Sequence, residues 1–340
     1  MRFGFDEDQL LLQKTLRDFL ASEVPVARVR ALWDTETGRS AELWKALADL
    51  GVTGLLVPEA HGGMGMDERF LVLLHEEAGR AALAEPLVAT SVAVPLWVGL
   101  GARELGERWL ARIALGEAIV AVGHPVNAFI SDAHLAGLLL LPHADELHAL
   151  VPEDVALVRL PVNDPARRVF SVDWSPATST RIARGEKARD LLAAALDRGA
   201  LACAAQLLGV TERLLEQAVA YAQQRKQFGR AIGSFQAVKH MCAEMIAALE
   251  PTRSLLWYAA HSFDALPDEA PQMACHVLAH VSEIGREIAS TATQVHGGIG
   301  WTDEQNLHFW FKRIAVARHL LGGPELLRER AAELQGLVRT

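Results

Sequence analysis

Two short stretches of the chain carry residue types suited to gripping an anion. The segment Tyr221–His240, YAQQRKQFGRAIGSFQAVKH, holds Arg225, Phe228 and Gln236, and Gln294–Glu304, QVHGGIGWTDE, holds Gln294, Val295, His296 and the pair Gly297-Gly298. A guanidinium offers a planar fork of donors to a phosphate-like group. Paired glycines have no Cβ, so backbone amides can approach an anion closely. Phe228 can pack against a ligand held there. Each residue alone has a plainer reading: Arg225 as a surface charge, Gly-Gly as the end of a helix. GGIG follows a helical pattern rather than a strand, so it is not a Rossmann fingerprint.

The other reactive side chains point to no site. His61, His240, His308 and His319 lack metal-ligand spacing and, with the other histidines outside the Gln294 segment, read as surface or core groups. Cys203, Cys242 and Cys275 lie in apolar, helix-like segments without CxxC spacing, which predicts reduced, buried thiols.

The elements that position these stretches are mainly helical. Leu12, Leu16, Phe19 and Leu20 form a helical stripe over Asp6–Val24. Ala41–Leu50 follows, stopped by Gly51, then a Pro- and Gly-rich loop and helices over Glu68–Ala82 and Pro86–Leu100. From Ala118 short apolar runs replace the helical period: Ala118–Gly123, Ala136–Leu141, Leu147–Val151, Val155–Leu160 and Val169–Val172. They predict a small antiparallel sheet region ending near Thr180. Helices return from Glu186. Asp197–Arg225 is long and amphipathic. Ser234 is placed to N-cap the next helix, Pro251 to kink or end it, and Pro271–Val295 and Glu325–Leu337 complete a bundle. The expected organisation is thus mainly α: an N-terminal helical domain (1–117), a middle β region (118–185) and a C-terminal helical bundle (186–340).

At a net charge of −9 the chain lacks the basic face a nucleic-acid partner would want. The longest apolar stretch, Val88–Ala102, is interrupted by Pro95 and is too short to span a bilayer. The acidic N-terminus, MRFGFDEDQ, has no apolar signal core, so a cytoplasmic location is the default expectation.

Taken together, the motifs resemble those of acyl-CoA dehydrogenases. Tyr221–His240 is similar to that family's R-x-x-F-G-x-x-I-x-x-F-Q segment, and Gln294–Glu304 to its Q-x-x-G-G-x-G segment. Leu50–Gly65 resembles its first-domain loop, and Leu196–Gly209 the start of its bundle. The resemblance covers nearly the whole chain outside about residues 120–185. It implies FAD as cofactor, lying between subunits, with Arg225, Phe228, Gln236, Gln294, Val295, His296, Gly297 and Gly298 as contacts donated to a partner's FAD. It also implies an acyl-CoA substrate and an electron-transfer acceptor.

Measured against that family pattern, the chain is short by about fifty residues in the β region. Where the family has a T-E-P-x-x-G-S-D-like flavin contact, this sequence reads VGHPVNAFISDAH (Val122–His134). The family's carboxylate base falls at Leu321 in one alignment and at Gly199 in the other. Neither side chain can accept a proton. Asp197 lies about 200° around the helix from Gly199 and is expected to point away. Both it and Glu304 read as solvated or capping carboxylates. The resemblance therefore implies a shortened subunit of an α2β2 hetero-oligomer with a full-length, base-bearing acyl-CoA dehydrogenase subunit, in the manner of steroid-type enzymes, so that no catalytic residue is expected in this chain. A self-sufficient homo-oligomeric flavoprotein and a non-enzymatic acyl-CoA-binding or scaffold protein stand as alternatives.

Overall fold

The computed structural model describes residues 4–101, 103–127 and 129–338. The first three residues, Ala102 at the end of the apolar stretch, Ala128 within the Val122–His134 segment and the last two residues lie outside the described residues.

The N-terminal third is helical: α1 (Glu7–Glu23), α2 (Val26–Leu32), α3 (Ala41–Asp49), α4 (Glu68–Arg80), α5 (Leu87–Leu100) and α6 (Arg103–Ala114). Local chemistry sets several starts. Asp6 and Gln9 form a reciprocal capping box on α1, Ser40 accepts the Leu43 N–H at 3.1 Å, and Asp67 caps α4. The short helices α2 and α6 were not evident in the sequence.

Nine strands occur among the described residues. In the middle region lie β1 (Val120–Val122), β2 (Ile130–Ser131), β3 (Leu138–His143), β4 (Glu146–Leu150), β5 (Ala156–Leu160), β6 (Val169–Asp173) and β7 (Arg181–Arg184); later, β8 (Lys226–Gln227) and β9 (Arg230–Ala231) make a hairpin. The expectation of one antiparallel sheet is corrected. Among the described residues the middle region holds two sheets, ordered β1-β3-β4-β7 and β2-β6-β5, and β1 pairs with β3 in parallel. Strand periodicity explains the layering. Leu138 and Leu140 of β3 face the core shared with α5 and α6, while Leu139 and Leu141 face Ile130 and Phe170 of the second sheet.

The C-terminal half is α7 (Gly185–Gln224), α8 (Gln236–Ala265), α9 (Ala270–His296), α10 (His308–Ala317) and α11 (Gly323–Leu334). α7 is long and apolar enough to cross a bilayer, but 83% of its apolar window is buried against other elements. It is the hub of the fold. Gly79 of α4 and Gly209 of α7 sit where a Cβ would lie 2.0 Å from the Gln206 carbonyl and 1.9 Å from the Glu76 carbonyl, so the two helices cross with backbones nearly touching. Ion pairs flank the crossing: Arg253 with Glu76 and Glu212, Arg80 with Glu212 and Glu216, and Arg17 with Glu77. Burial raises Glu76 to about 7 despite Arg253.

Two expectations about the bundle need correction, and of the two outcomes open for Pro251 one is excluded. The N-cap of α8 is Phe235, because Ser234 ends a 3₁₀ turn and donates its hydroxyl to the Ala231 carbonyl. Pro251 does not end α8, which continues to Ala265 with Pro251 on its exposed side. Cys242 is half-exposed, whereas Cys203 and Cys275 are buried.

Candidate functional site

The cofactor-type residues converge on one end of the bundle. α7 and α9 run parallel: Gly285 lies against Thr211, and farther along, Tyr221 stacks on His296 with ring centroids 4.4 Å apart. Both helices therefore terminate together. Arg225 caps α7 in extended backbone and donates its N–H to the Tyr221 carbonyl at 2.8 Å. Gly233 abuts Ala222, which brings the start of α8, with Gln236, to the same end.

The hairpin between these helices has a two-residue tip, Phe228-Gly229, with φ of 52° and 78°. A tight right-twisted hairpin requires positive φ at both positions. Glycine adopts it freely, whereas an L side chain pays roughly 1–2 kcal/mol. The Phe228 ring is also 92% exposed, set edge-on to Phe235 with centroids 6.1 Å apart.

Arg225, Gln236 and Gln294 are exposed, and their side chains make no hydrogen bond or ion pair among the described residues. Gly297 caps α9 at φ 67°, ψ −149°, a conformation open almost only to glycine, and a Cβ on Gly297 or Gly298 would meet nothing within 4 Å. A free guanidinium, two free side-chain amides and an uncrowded glycine pair, whose first N–H bonds back to the Thr293 and Gln294 carbonyls, thus share this exposed end. Val295 and His296 differ from these: their side chains are buried. Burial lowers the His296 pKa, and its Nδ1 lies 2.7 Å from the Ala292 carbonyl. The neutral ring joins the two motif stretches by its stack on Tyr221, so only the backbone of these two residues can reach a ligand.

A second feature lies inside. A largely apolar cleft enclosing about 750 Å³, its open mouth included, is bounded by α5, α7, the β region and the turn before α11. Leu321 lines it, and a Cβ on Gly199 would lie 3.0 Å from Leu321 Cδ1. The two positions singled out for a base are thus neighbours, and both are apolar. Leu321, Gly322 and Gly323 all have positive φ, and Asn127 Oδ1 accepts the Gly322 N–H at 3.1 Å, pinning this turn. His124, lowered to about 4 by burial, sets its Nε2 3.1 Å from the Leu192 carbonyl.

Asp197 is not the solvated carboxylate expected. It is buried and paired with Arg330 at 2.5 Å. It does point away from the cleft lining. Glu304 is exposed.

The polar residues around the cleft went unnoticed in the sequence. Asp132 lines it and is held by Arg39. Arg167 also lines it and donates through Nη2 to Gln206 Oε1 at 3.2 Å; Gln206 in turn meets His75, and His75 meets Ser91 Oγ at 2.8 Å. Burial, aided by Arg167, lowers His75 to about 3. Asp164 binds Arg313 at 2.6 Å. The run Asp164–Arg168, DPARR, reads as an exposed turn in sequence, yet Asp164, Arg167 and Arg168 are all buried.

Comparison with known proteins places this geometry. Residues 189–335 match the acyl-CoA dehydrogenase C-terminal domain and residues 6–117 its N-terminal domain. The chain is 30% identical to the acyl-CoA dehydrogenase IpdE2 of Mycolicibacterium smegmatis over 96% of this chain and 99% of that relative. It is 32% identical to the acyl-CoA dehydrogenase FadE34 of Mycobacterium tuberculosis over 92% of this chain but only 46% of FadE34, so it spans about half of that longer relative. Among solved structures, a variant of the steroid acyl-CoA dehydrogenase Tcur3481–Tcur3483 superposes with a TM-score of 0.87 at 25% identity, covering 97% of this chain and 98% of that one.

Proposed function

This chain belongs to the acyl-CoA dehydrogenase family, and from that premise we propose that it is the cofactor-contact subunit of a heteromeric, FAD-dependent acyl-CoA dehydrogenase. The observation that carries the reading is the outward-facing set at the bundle end. The side chains of Arg225, Gln236 and Gln294 are unpaired and solvent-facing, Gly297 and Gly298 are exposed with open space where a Cβ would stand although the Gly297 N–H bonds back into α9, and Phe228 is held exposed in a costly conformation. A pyrophosphate fits this set, because a free guanidinium and open amides are the groups that receive a dianion. FAD, when bound, supplies the hydride acceptor for α,β-desaturation of an acyl-CoA. This chain's residues bind and orient its phosphate end.

The interior supports a division of labour. Leu321 and Gly199 meet at the cleft without a proton-accepting group, and the one carboxylate in the lining among the described residues, Asp132, is tied to Arg39. A partner would supply the base that removes the α-proton. FadE34 adds support, since its length leaves room for a second unit beside the half this chain matches. The likeness to the steroid acyl-CoA dehydrogenase Tcur3481–Tcur3483 supports a steroid-type acyl-CoA as the substrate class. A cytoplasmic location and an electron-transfer protein as acceptor complete the reading.

Co-expression with a full-length homologue tests it. A stable complex should purify with bound flavin and desaturate an acyl-CoA, and Arg225→Ala should lower its flavin content without dissociating it. No complex, or a flavin content indifferent to Arg225, would count against the proposal.

A further inference from the structure

The interior around the cleft holds four guanidiniums, Arg39, Arg167, Arg168 and Arg313, against two paired carboxylates; Arg168 is held by the backbone carbonyls of Pro165, Trp33 and Thr35. Asp132 is taken by Arg39 and Asp164 by Arg313. Arg167, fully enclosed, is left with the neutral amide oxygen of Gln206, and its Nε has no hydrogen-bond partner. Glu85 does not balance it. That carboxyl sits at the Ser40 N–H, 3.4 Å away, and burial raises it to about 7, so its charge is incomplete at neutral pH. Burial lowers Arg167 as well, to about 10, with repulsion from Arg313 adding to the effect and attraction from Asp164 and Asp132, each already paired to another arginine, only partly opposing it. At neutral pH it still carries its charge.

An uncompensated buried charge is costly, and proteins keep one where a ligand completes it. What adjoins Arg167 is the cleft, walled by Pro86, Val88, Val92, Leu196 and Leu320. A guanidinium at the edge of an apolar cleft matches a planar, singly charged oxyanion borne on a hydrocarbon body. We propose that this cleft binds an apolar molecule ending in a carboxylate, with Arg167 receiving the carboxylate. The site lies in the interior, away from the outward-facing cofactor contacts, and does not depend on them.

Two matched pairs of probes test the site by calorimetry on the full chain, alone or in its complex: octanoate against 1-octanol, and suberyl-CoA against octanoyl-CoA. The carboxylate-terminated member of at least one pair should bind tenfold or more tightly than its neutral counterpart. Preference in the first pair identifies a free acid as ligand; preference in the second alone identifies a carboxylate carried on an acyl thioester. Arg167→Met should erase the preference. Equal binding within both pairs, or a preference that survives Arg167→Met, overturns the proposal. Should that variant not fold, Val92→Trp fills the cleft while leaving the guanidinium in place; carboxylate binding that persists there overturns it too. Flavin content reads the bundle-end contacts separately, so the two proposals can fail independently.

Discussion

Replacing Phe228 by glycine separates a cofactor and partner contact from an ordinary surface residue. In the isolated chain the ring does little work, being 92% exposed and edge-on to a single neighbour. Its backbone, at φ 52°, holds a conformation that costs an L residue roughly 1–2 kcal/mol. Glycine relieves that cost but adds about 0.5–1 kcal/mol of chain entropy to the unfolded state. The net change for the chain alone is therefore between zero and a gain of about 1.5 kcal/mol. In the assembled protein nearly the whole ring is available for burial, worth about 1.5–3 kcal/mol. Losing some 2 kcal/mol weakens association about thirtyfold. Thermal unfolding of the isolated variant and sedimentation equilibrium with the full-length subunit measure the two effects. A variant that is clearly less stable alone, or that assembles as tightly as the parent, refutes the reasoning.

Two further predictions concern the scaffold. Gly209→Ala places a methyl 1.9 Å from the Glu76 carbonyl, so α4 and α7 must part by about an ångström; a loss of about 2–3 kcal/mol or more and a lower Tm are expected, and an unchanged Tm would show that the crossing is looser than described. Glu85→Gln should gain on the parent as pH rises from 5 to 8. The folded carboxyl titrates near 7 and the unfolded one near 4.5, so between these values the native state keeps a proton that the unfolded chain has released. Stability is lost across that window and stays lost above it, up to about 3 kcal/mol. Buried neutral His75 and His124 act oppositely, weakening the fold as pH falls below about 6.5, but they are common to both proteins and cancel in the comparison. Parallel denaturation curves at the two pH values would contradict the assignment.

The long helices were legible because their burial follows the 3.6-residue period, and the strands of the middle region because apolar runs there are short and punctuated. α2, at seven residues, is too short to show a period, and α6, Arg103–Ala114, sits in a charged segment. The parallel pairing of β1 with β3 depends on a chain reversal that no local pattern encodes. At the bundle end, the residues singled out by type and order do lie near one another, but the sequence did not show the inward turn of Val295 and His296, the latter stacked on Tyr221. The interior was the least legible part. Arg39, Asp132 and the Asp164–Arg168 run come from three separated stretches, and charged residues in Pro-containing turns ordinarily face water. Here pairing across the fold brings them inside.

The shared cofactor is tested most directly by the visible spectrum of this chain purified alone, beside that of its complex with a full-length acyl-CoA dehydrogenase subunit. The account predicts no stoichiometric flavin in the first and flavin bleached by acyl-CoA in the second. Stoichiometric flavin on the lone chain, bleached on adding an acyl-CoA, would contradict it.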